Sequence, residues 1–358
     1  MDNPYYTLPE EPDISEPTAP AVANPAEVRR HFSRVGLAYL TMTVAFMAAA
    51  YAAQFALLNL RPELLNTWWM RWVLSLLPLY GVGLPILWLM LRKIPASPHN
   101  TDCTVGGLRT DKPAFGFKPW AILLVIAFGC MTAGSILGNI IMTIMSAVMQ
   151  YDYAFALNSM VYETPVWFTL ICTCICAPLG EELIFRKLLI DRTRRYGDWT
   201  AILLSGLLFG LFHGNLFQFF YAALVGMILA YVYTRSGSYR WCVAMHAAIN
   251  FMGSIVIPAL GKLITPYLSA EAPTTEMLLD PAFLLAMLAS LLLSAWQYGM
   301  LIAGIVLFCV CFKRRKLSNG MPLPEGNRAS VLSLANPGMI ACLVIMLLLL
   351  AVNLIPIR

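Results

Sequence analysis

Few ionisable residues interrupt the apolar stretches of this 358-residue chain, and those that do gather in one part of it. Glu181, Glu182 and Arg186 fall together, His213 follows, and His246 and Asn250 come next. Of the four histidines, His31 and His99 sit in polar segments, and the other two belong to this group. An ionisable side chain in a membrane span is costly and marks a functional site by default. Helical spacing sharpens the pattern. Glu182 and Arg186 are i and i+4 and can pair on one face, whereas Glu181 points about 100° away at 3.6 residues per turn. Phe209 with His213, and His246 with Asn250, repeat the i, i+4 spacing. Carboxylates and imidazoles of this kind can take a proton from water, and amide or imidazole N–H groups can stabilise an oxyanion. Glu181, His213 and His246 would also make a Glu-His-His set, which catalytic zinc uses. No HExxH places two histidines on one helix face, so three ligands would have to come from three helices, and a metal-free reaction is the expectation. Each pair taken singly has a structural reading, as a buried ion pair or an interhelical hydrogen bond; the joint pattern is what points to chemistry.

The elements that must position these residues are membrane helices. Apolar residues make up 59% of the chain and charged residues 12%, against about 25% charged in a soluble globular domain. The apolar residues lie in blocks, and about 20 of them in a row cross the hydrocarbon core as a helix. An all-α, polytopic transmembrane bundle of eight to nine spans follows. Nine segments are predicted, at about 36–60, 70–91, 119–148, 165–187, 199–213, 216–234, 241–260, 282–312 and 338–356. The fifth is short. Gly134, Ser135 and Gly138 in the third permit close helix approach of the small-xxx-small kind. Pro178 and Gly180, just before the carboxylates, predict an irregular helix there. Residues 1–30, rich in Pro, Glu and Ala, read as a disordered tail; no apolar h-region opens the chain, so no signal peptide is expected. Residues 31–358 form the transmembrane domain. Most of the nine cysteines lie in apolar blocks, and Cys172, Cys174 and Cys176 read as small packing residues rather than as a metal site.

Basic residues set the orientation. With the N-terminus inside, twenty of the 24 Lys and Arg fall on the inner side, including Arg192, Arg194, Arg195, Arg235, Arg240 and the run Lys313–Lys316. The outer side keeps Arg61, Arg71, Lys262 and Arg358. This is the positive-inside pattern of a multi-pass protein of the cell membrane with a cytoplasmic N-terminus. The net charge of +5 therefore reflects topology and contact with anionic lipid, and no nucleic-acid partner is implied. Nothing in the chain sets an oligomeric state. Depth imposes a constraint on the site: Glu181 and His213 lie equally far from the turn at Gly197, but His246 is much nearer its own turn at Gly237. For the three to meet, the fourth and fifth helices must project beyond the seventh, and Arg192, Arg194 and Arg195 favour this.

Three motifs carry a family resemblance. Gly180-Glu181-Glu182-Leu-Ile-Phe185-Arg186 resembles the EExxxR motif of the CAAX protease and bacteriocin-processing family, also called CPBP or Abi; Phe209-Gly-Leu-Phe-His213 resembles its FxxxH motif; and His246-Ala-Ala-Ile-Asn250 resembles its HxxxN motif. They occur in order on adjacent spans, over a core at about 165–255. The resemblance implies an intramembrane endopeptidase acting near the cytoplasmic face on a membrane-associated protein or peptide. It implies Glu181 as the base on water, assisted by His213; His246 and Asn250 at the oxyanion; Glu182 and Arg186 as a pair positioning Glu181; and Phe209 packed beside the site. The rival readings are a non-catalytic scaffold or bacteriocin immunity protein of the same family, and a transporter, which would also hold charges at mid-membrane but for which no repeat is visible between the halves. The topology is directly testable. Reporter fusions after Arg195, Arg240 and Lys316 should all read cytoplasmic, and an outer-side signal at two of them would overturn the nine-span arrangement.

Overall fold

The computed structural model describes residues 22–97, 115–151, 163–267, 278–312 and 317–355. The expected tail up to residue 21, Cys103, the basic positions Arg109, Lys112 and Lys313–Lys316, and Arg358 lie outside the described residues. Helix α1 (Pro25–Leu60) begins where Asn24 Oδ1 accepts the Ala26 N–H at 2.9 Å, with Pro25 in the first turn and Glu27 behind it. These are strong start signals, and they shorten the tail that composition alone extended to residue 30. Among the described residues, seven helices are long and apolar enough to cross a membrane. They are α1, α2 (Trp68–Leu91), α3 (Phe117–Met149), α4 (Val166–Tyr196), α6 (Leu216–Ser236), α7 (Tyr239–Ile264) and α8 (Pro281–Phe312). Helices α5 (Asp198–Phe212) and α10 (Pro337–Val352) are apolar but shorter, and α9 (Ala329–Leu334) is a single short turn before α10. The described residues contain no strand. Helices occur at all nine expected positions and in the expected order, seven of them long and apolar enough to span, and the protein is a polytopic helical bundle.

Helix α6 lies at the centre, between α3 and α5. The small residues of α3 allow this. A Cβ on Gly134 would sit 2.4 Å from Tyr221 Cα, and one on Gly138 would sit 2.6 Å from the Phe217 carbonyl oxygen. Backbones so close exchange dispersion contacts that apolar side chains against lipid do not supply. Helices α1, α2, α4, α5 and α10 share one buried cluster that includes Phe32, Tyr39, Leu87, Phe185, Leu208 and Cys342. A second cluster joins α3, α6 and α7 through Ile126, Leu229, Tyr233 and Met245. On α8, by contrast, Leu291 and Ile302 are largely exposed, as expected of a helix that faces acyl chains.

Two features of this packing position the site. The first is the anchored end of α4. His31 of α1 and the segment before α9 hold it: His31 Nε2 meets the Arg192 carbonyl at 2.6 Å, Met321 N–H donates to the Arg195 carbonyl at 2.9 Å, and Ser318 N–H donates to Asp198 Oδ2 at 3.0 Å. The turn at Gly197, with φ of 114°, follows directly, and Tyr196 beside it is buried in the core cluster with Phe32. The second is irregular winding. Helix α4 is π-helical over Leu170–Cys176 and Leu183–Leu188, and α2 is π-helical over Leu79–Gly83, directly after Pro78. Such turns widen a helix locally and free backbone carbonyls for other donors.

Candidate active site

The π turns explain several side-chain contacts from the backbone outward. At the end of the first one, the Ala177 N–H bonds the Cys172 carbonyl. The same pattern would give the Thr173 carbonyl a donor at position 178, but Pro178 has no N–H. Asn250 Nδ2 donates to that carbonyl at 2.7 Å, which satisfies a group that lipid could not. In the second turn, the carbonyl of Ile184 accepts from Tyr39 Oη at 2.6 Å, and that of Phe185 accepts from Ser205 Oγ at 2.9 Å. Helices α1, α5 and α7 are therefore each pinned to α4 through a carbonyl in or beside a π turn.

Arg186 is the largest fully buried side chain. Its Nε lies 2.9 Å from Glu182 Oε2, its Nη1 donates to Ser205 Oγ at 3.4 Å, and its guanidinium carbon sits 4.5 Å from the centroid of the Phe209 ring. The Nε–H is not aimed at the carboxylate oxygen, so the Glu182 contact is an ion pair rather than an aligned hydrogen bond. Cation–π contact with Phe209 supplies further stabilisation where no water competes. The second carboxylate oxygen of Glu182 is 2.8 Å from His246 Nδ1. Both Glu182 and Arg186 have no exposed side-chain surface.

Glu181, one position earlier, has a different environment. Its side chain keeps 16% exposure, and its Oε2 lies 3.8 Å from His246 Nε2. That gap is too long for a direct hydrogen bond and is suited to a bridging water. His246 thus stands between two adjacent glutamates with one ring nitrogen toward each. His213 caps α5 and also meets Phe209. Its Nδ1 is 2.8 Å from the Phe209 carbonyl, and the Phe209 ring lies edge-on to both imidazoles, with centroids 4.9 Å from His213 and 5.6 Å from His246. A carbonyl only accepts, so His213 Nδ1 carries the proton and Nε2 is the free nitrogen. The same reasoning on the Glu182 contact leaves His246 Nε2 free toward Glu181.

The structure therefore brings Glu181, Glu182, Arg186 and His246 into one contact group. It places His213 in edge-on contact with the same Phe209 ring that meets His246, and Asn250 one turn beyond His246 on a backbone carbonyl. Among the described residues, no three His, Cys, Asp or Glu side chains form a metal-binding group. Sequence reasoning passed over Tyr39, Tyr80, Thr173 and Ser205. Ser205 had a legible signal, because positions 205, 209 and 213 share one helical stripe; Tyr39 and Tyr80 come from helices with no motif.

The ion pair has a testable consequence. Arg186→Ala should destabilise the protein by roughly 3–5 kcal/mol, since it leaves the Glu182 carboxylate buried without its cation. Thermal unfolding in detergent micelles reads this as a lowered Tm, partly restored in Glu182→Gln/Arg186→Met, where neither charge remains. An Arg186→Ala protein as stable as wild type would show that Glu182 does not depend on its partner.

No curated protein and no solved structure matches the chain. A family model does: residues 163–252 match the one described as type II CAAX prenyl endopeptidase Rce1-like. The match covers α4, α5, α6 and the first half of α7, and all six candidate residues lie within it. Over residues 163–252, this chain is similar to the Rce1-like family of type II CAAX prenyl endopeptidases.

Proposed function

We propose that this protein is an intramembrane endopeptidase of the CAAX-processing type, which hydrolyses a peptide bond in a membrane-associated protein or peptide with a water activated by Glu181. The observation that carries the reading is the asymmetry of the two adjacent glutamates. Glu182 is wholly buried and spends both oxygens, on Arg186 and on His246. Glu181 keeps access and faces His246 Nε2 at 3.8 Å. A base that is reachable and held beside an acceptor imidazole can bind a water by both hydrogens.

In this scheme the water gives one proton to the Glu181 carboxylate as its oxygen attacks the scissile carbonyl carbon. His246 Nε2 accepts a hydrogen bond from the other hydrogen. Glu182, itself neutralised by Arg186, fixes the His246 tautomer through Nδ1, as second partners of catalytic imidazoles do. The C–N bond then breaks, and the proton held by Glu181 passes to the leaving amine, which restores the carboxylate. Asn250 has one amide hydrogen on Thr173 and a second that can reach substrate. His213, fixed by the Phe209 carbonyl, keeps Nε2 free to orient the same water. We place the site toward the cytoplasmic side of the cell membrane, on the basis of the Lys and Arg distribution.

The mechanism is proposed as metal-free. A zinc site would need Glu181, His213 and His246 together, whereas among the described residues these side chains do not form a metal-binding group. Purified protein should therefore hold substoichiometric zinc by elemental analysis and keep its activity through a strong chelator. Activity lost to chelation and restored by zinc would reject this mechanism.

The catalytic test is Glu181→Gln, which is nearly isosteric and removes only the base. Cleavage should disappear while the unfolding temperature stays at the wild-type value. Termini generated in membrane and secreted fractions by the wild type, and missing with Glu181→Gln, would also identify the substrate. Full biological function in Glu181→Gln would instead favour a scaffold or immunity role for the same buried cluster.

A further inference from the structure

Three tyrosines surround the segment that carries Glu181, and their hydroxyls are used differently. Tyr239 Oη donates to the Leu179 carbonyl. Tyr221 Oη accepts from Gln218 Nε2 at 2.8 Å, at the end of a chain that runs from Asn215 Nδ2 through the Gln218 amide. Tyr80 Oη, on α2, has no hydrogen-bond partner among the described residues, and its side chain is only partly buried.

The position of Tyr80 is fixed closely. Its ring occupies the space that a side chain at residue 180 would fill. A Cβ on Gly180 would lie 2.0 Å from Tyr80 Cε1, 2.4 Å from Cζ and 2.6 Å from Oη. Only glycine leaves that space, and the residue that follows it is Glu181. The Glu181 carboxylate and the Tyr80 phenol lie within electrostatic reach of each other. The mounting is also rigid. Pro78 and the π turn Leu79–Gly83 set the direction of this stretch of α2, and Gly83 packs onto Met42 and Phe46 of α1.

The hydrolysis scheme leaves a role for such a group. A tetrahedral intermediate requires hydrogen-bond donors aimed at its oxyanion. In their neutral forms His213 and His246 both present Nε2 as an acceptor, because each Nδ1 proton is held by an oxygen. Asn250 has already committed one of its two amide hydrogens. A phenol is a neutral donor that can give a hydrogen bond without giving up its proton.

We propose that Tyr80 is a catalytic residue of this peptidase, donating its O–H to the scissile carbonyl oxygen as that oxygen becomes anionic. The inference rests on the assignment of Glu181 as the base, and it adds a residue from a helix outside the matched segment. No bond to the phenol is made or broken; the hydrogen bond strengthens as charge grows on the oxygen and weakens when the intermediate collapses.

The test uses the full-length protein in proteoliposomes and a farnesylated fluorogenic peptide ending in a CAAX sequence. Wild type, Glu181→Gln, Tyr80→Phe and Gly180→Ala are compared by initial rates and by unfolding temperature. Tyr80→Phe keeps the ring on Gly180 and removes only the hydroxyl. It should lower kcat by about 10²–10³-fold, the usual effect of losing one oxyanion donor, with KM within twofold and Tm unchanged. Gly180→Ala, which must push the ring aside, should lose kcat to a similar degree, and adding Tyr80→Phe to it should cost little more. A Tyr80→Phe kcat within threefold of wild type would overturn the role of Tyr80 while leaving Glu181 in place. So would a raised KM at constant kcat, which would make Tyr80 a binding group. A wild type that leaves the peptide intact would sink the CAAX-peptidase reading itself, and the role of Tyr80 with it.

Discussion

A guanidinium with no exposed surface, in the interior of an apolar bundle, must find its counter-charge and hydrogen bonds in the protein or the fold fails. Arg186 finds its counter-charge in Glu182 on its own helix, a hydrogen bond in Ser205 and a ring face in Phe209 on α5, and through Glu182 it is tied to the imidazole of His246 on α7. Desolvating the two charges costs several kcal/mol per ion, so the pair is not a net source of stability compared with apolar packing. Its effect is on specificity. Leu or Phe at these positions would tolerate many rotations of α4, α5 and α7 against each other. A buried carboxylate that must touch one guanidinium and one imidazole tolerates very few. The arrangement that satisfies Arg186 is also the one that brings His246 Nε2 to Glu181, so the ion pair and the catalytic geometry are one constraint.

A second constraint reinforces the first. Backbone carbonyls freed by the π turns of α4 have no water to turn to. Thr173, Ile184 and Phe185 are instead met by Asn250, Tyr39 and Ser205. These bonds fix the rise and rotation of α4 at three points along its length, on either side of Glu181 and Glu182. The helix that carries the carboxylates is therefore held by its irregularities rather than by regular packing. Pro178 is the chemical origin of one of them, since it removes the N–H that the Thr173 carbonyl would have used.

The helical class, the order of the helices and the grouping of the polar side chains were legible because each has a local signature. Long apolar blocks, i, i+4 pairs of polar residues and a proline before two glutamates all lie within a few residues of sequence. Close approach at Gly134 and Gly138 was legible for the same reason. The start of α1 was misjudged because the tail's composition drew attention away from Asn24, Pro25 and Glu27, which together specify a helix start. The depth of His246 was left open because it depends on contacts between distant segments. His31, Ser318 and Met321 bond the end of α4 and the turn after it, and no local pattern announces a grip between residues more than a hundred positions apart.

The division between the matched segment and the rest of the chain also has a physical meaning. Residues 163–252 contain both glutamates, the arginine, both histidines and Asn250, but this segment does not complete its own surroundings. The Ile184 carbonyl depends on Tyr39 of α1, and the face of Gly180 is covered by Tyr80 of α2. Gly180 lacks a side chain so that a ring from another helix can lie against the backbone next to Glu181. On the reading proposed above, the core supplies the base and its positioning pair, while the ring beside Glu181 comes from α2, so the site is completed by a helix in which the family motifs are silent.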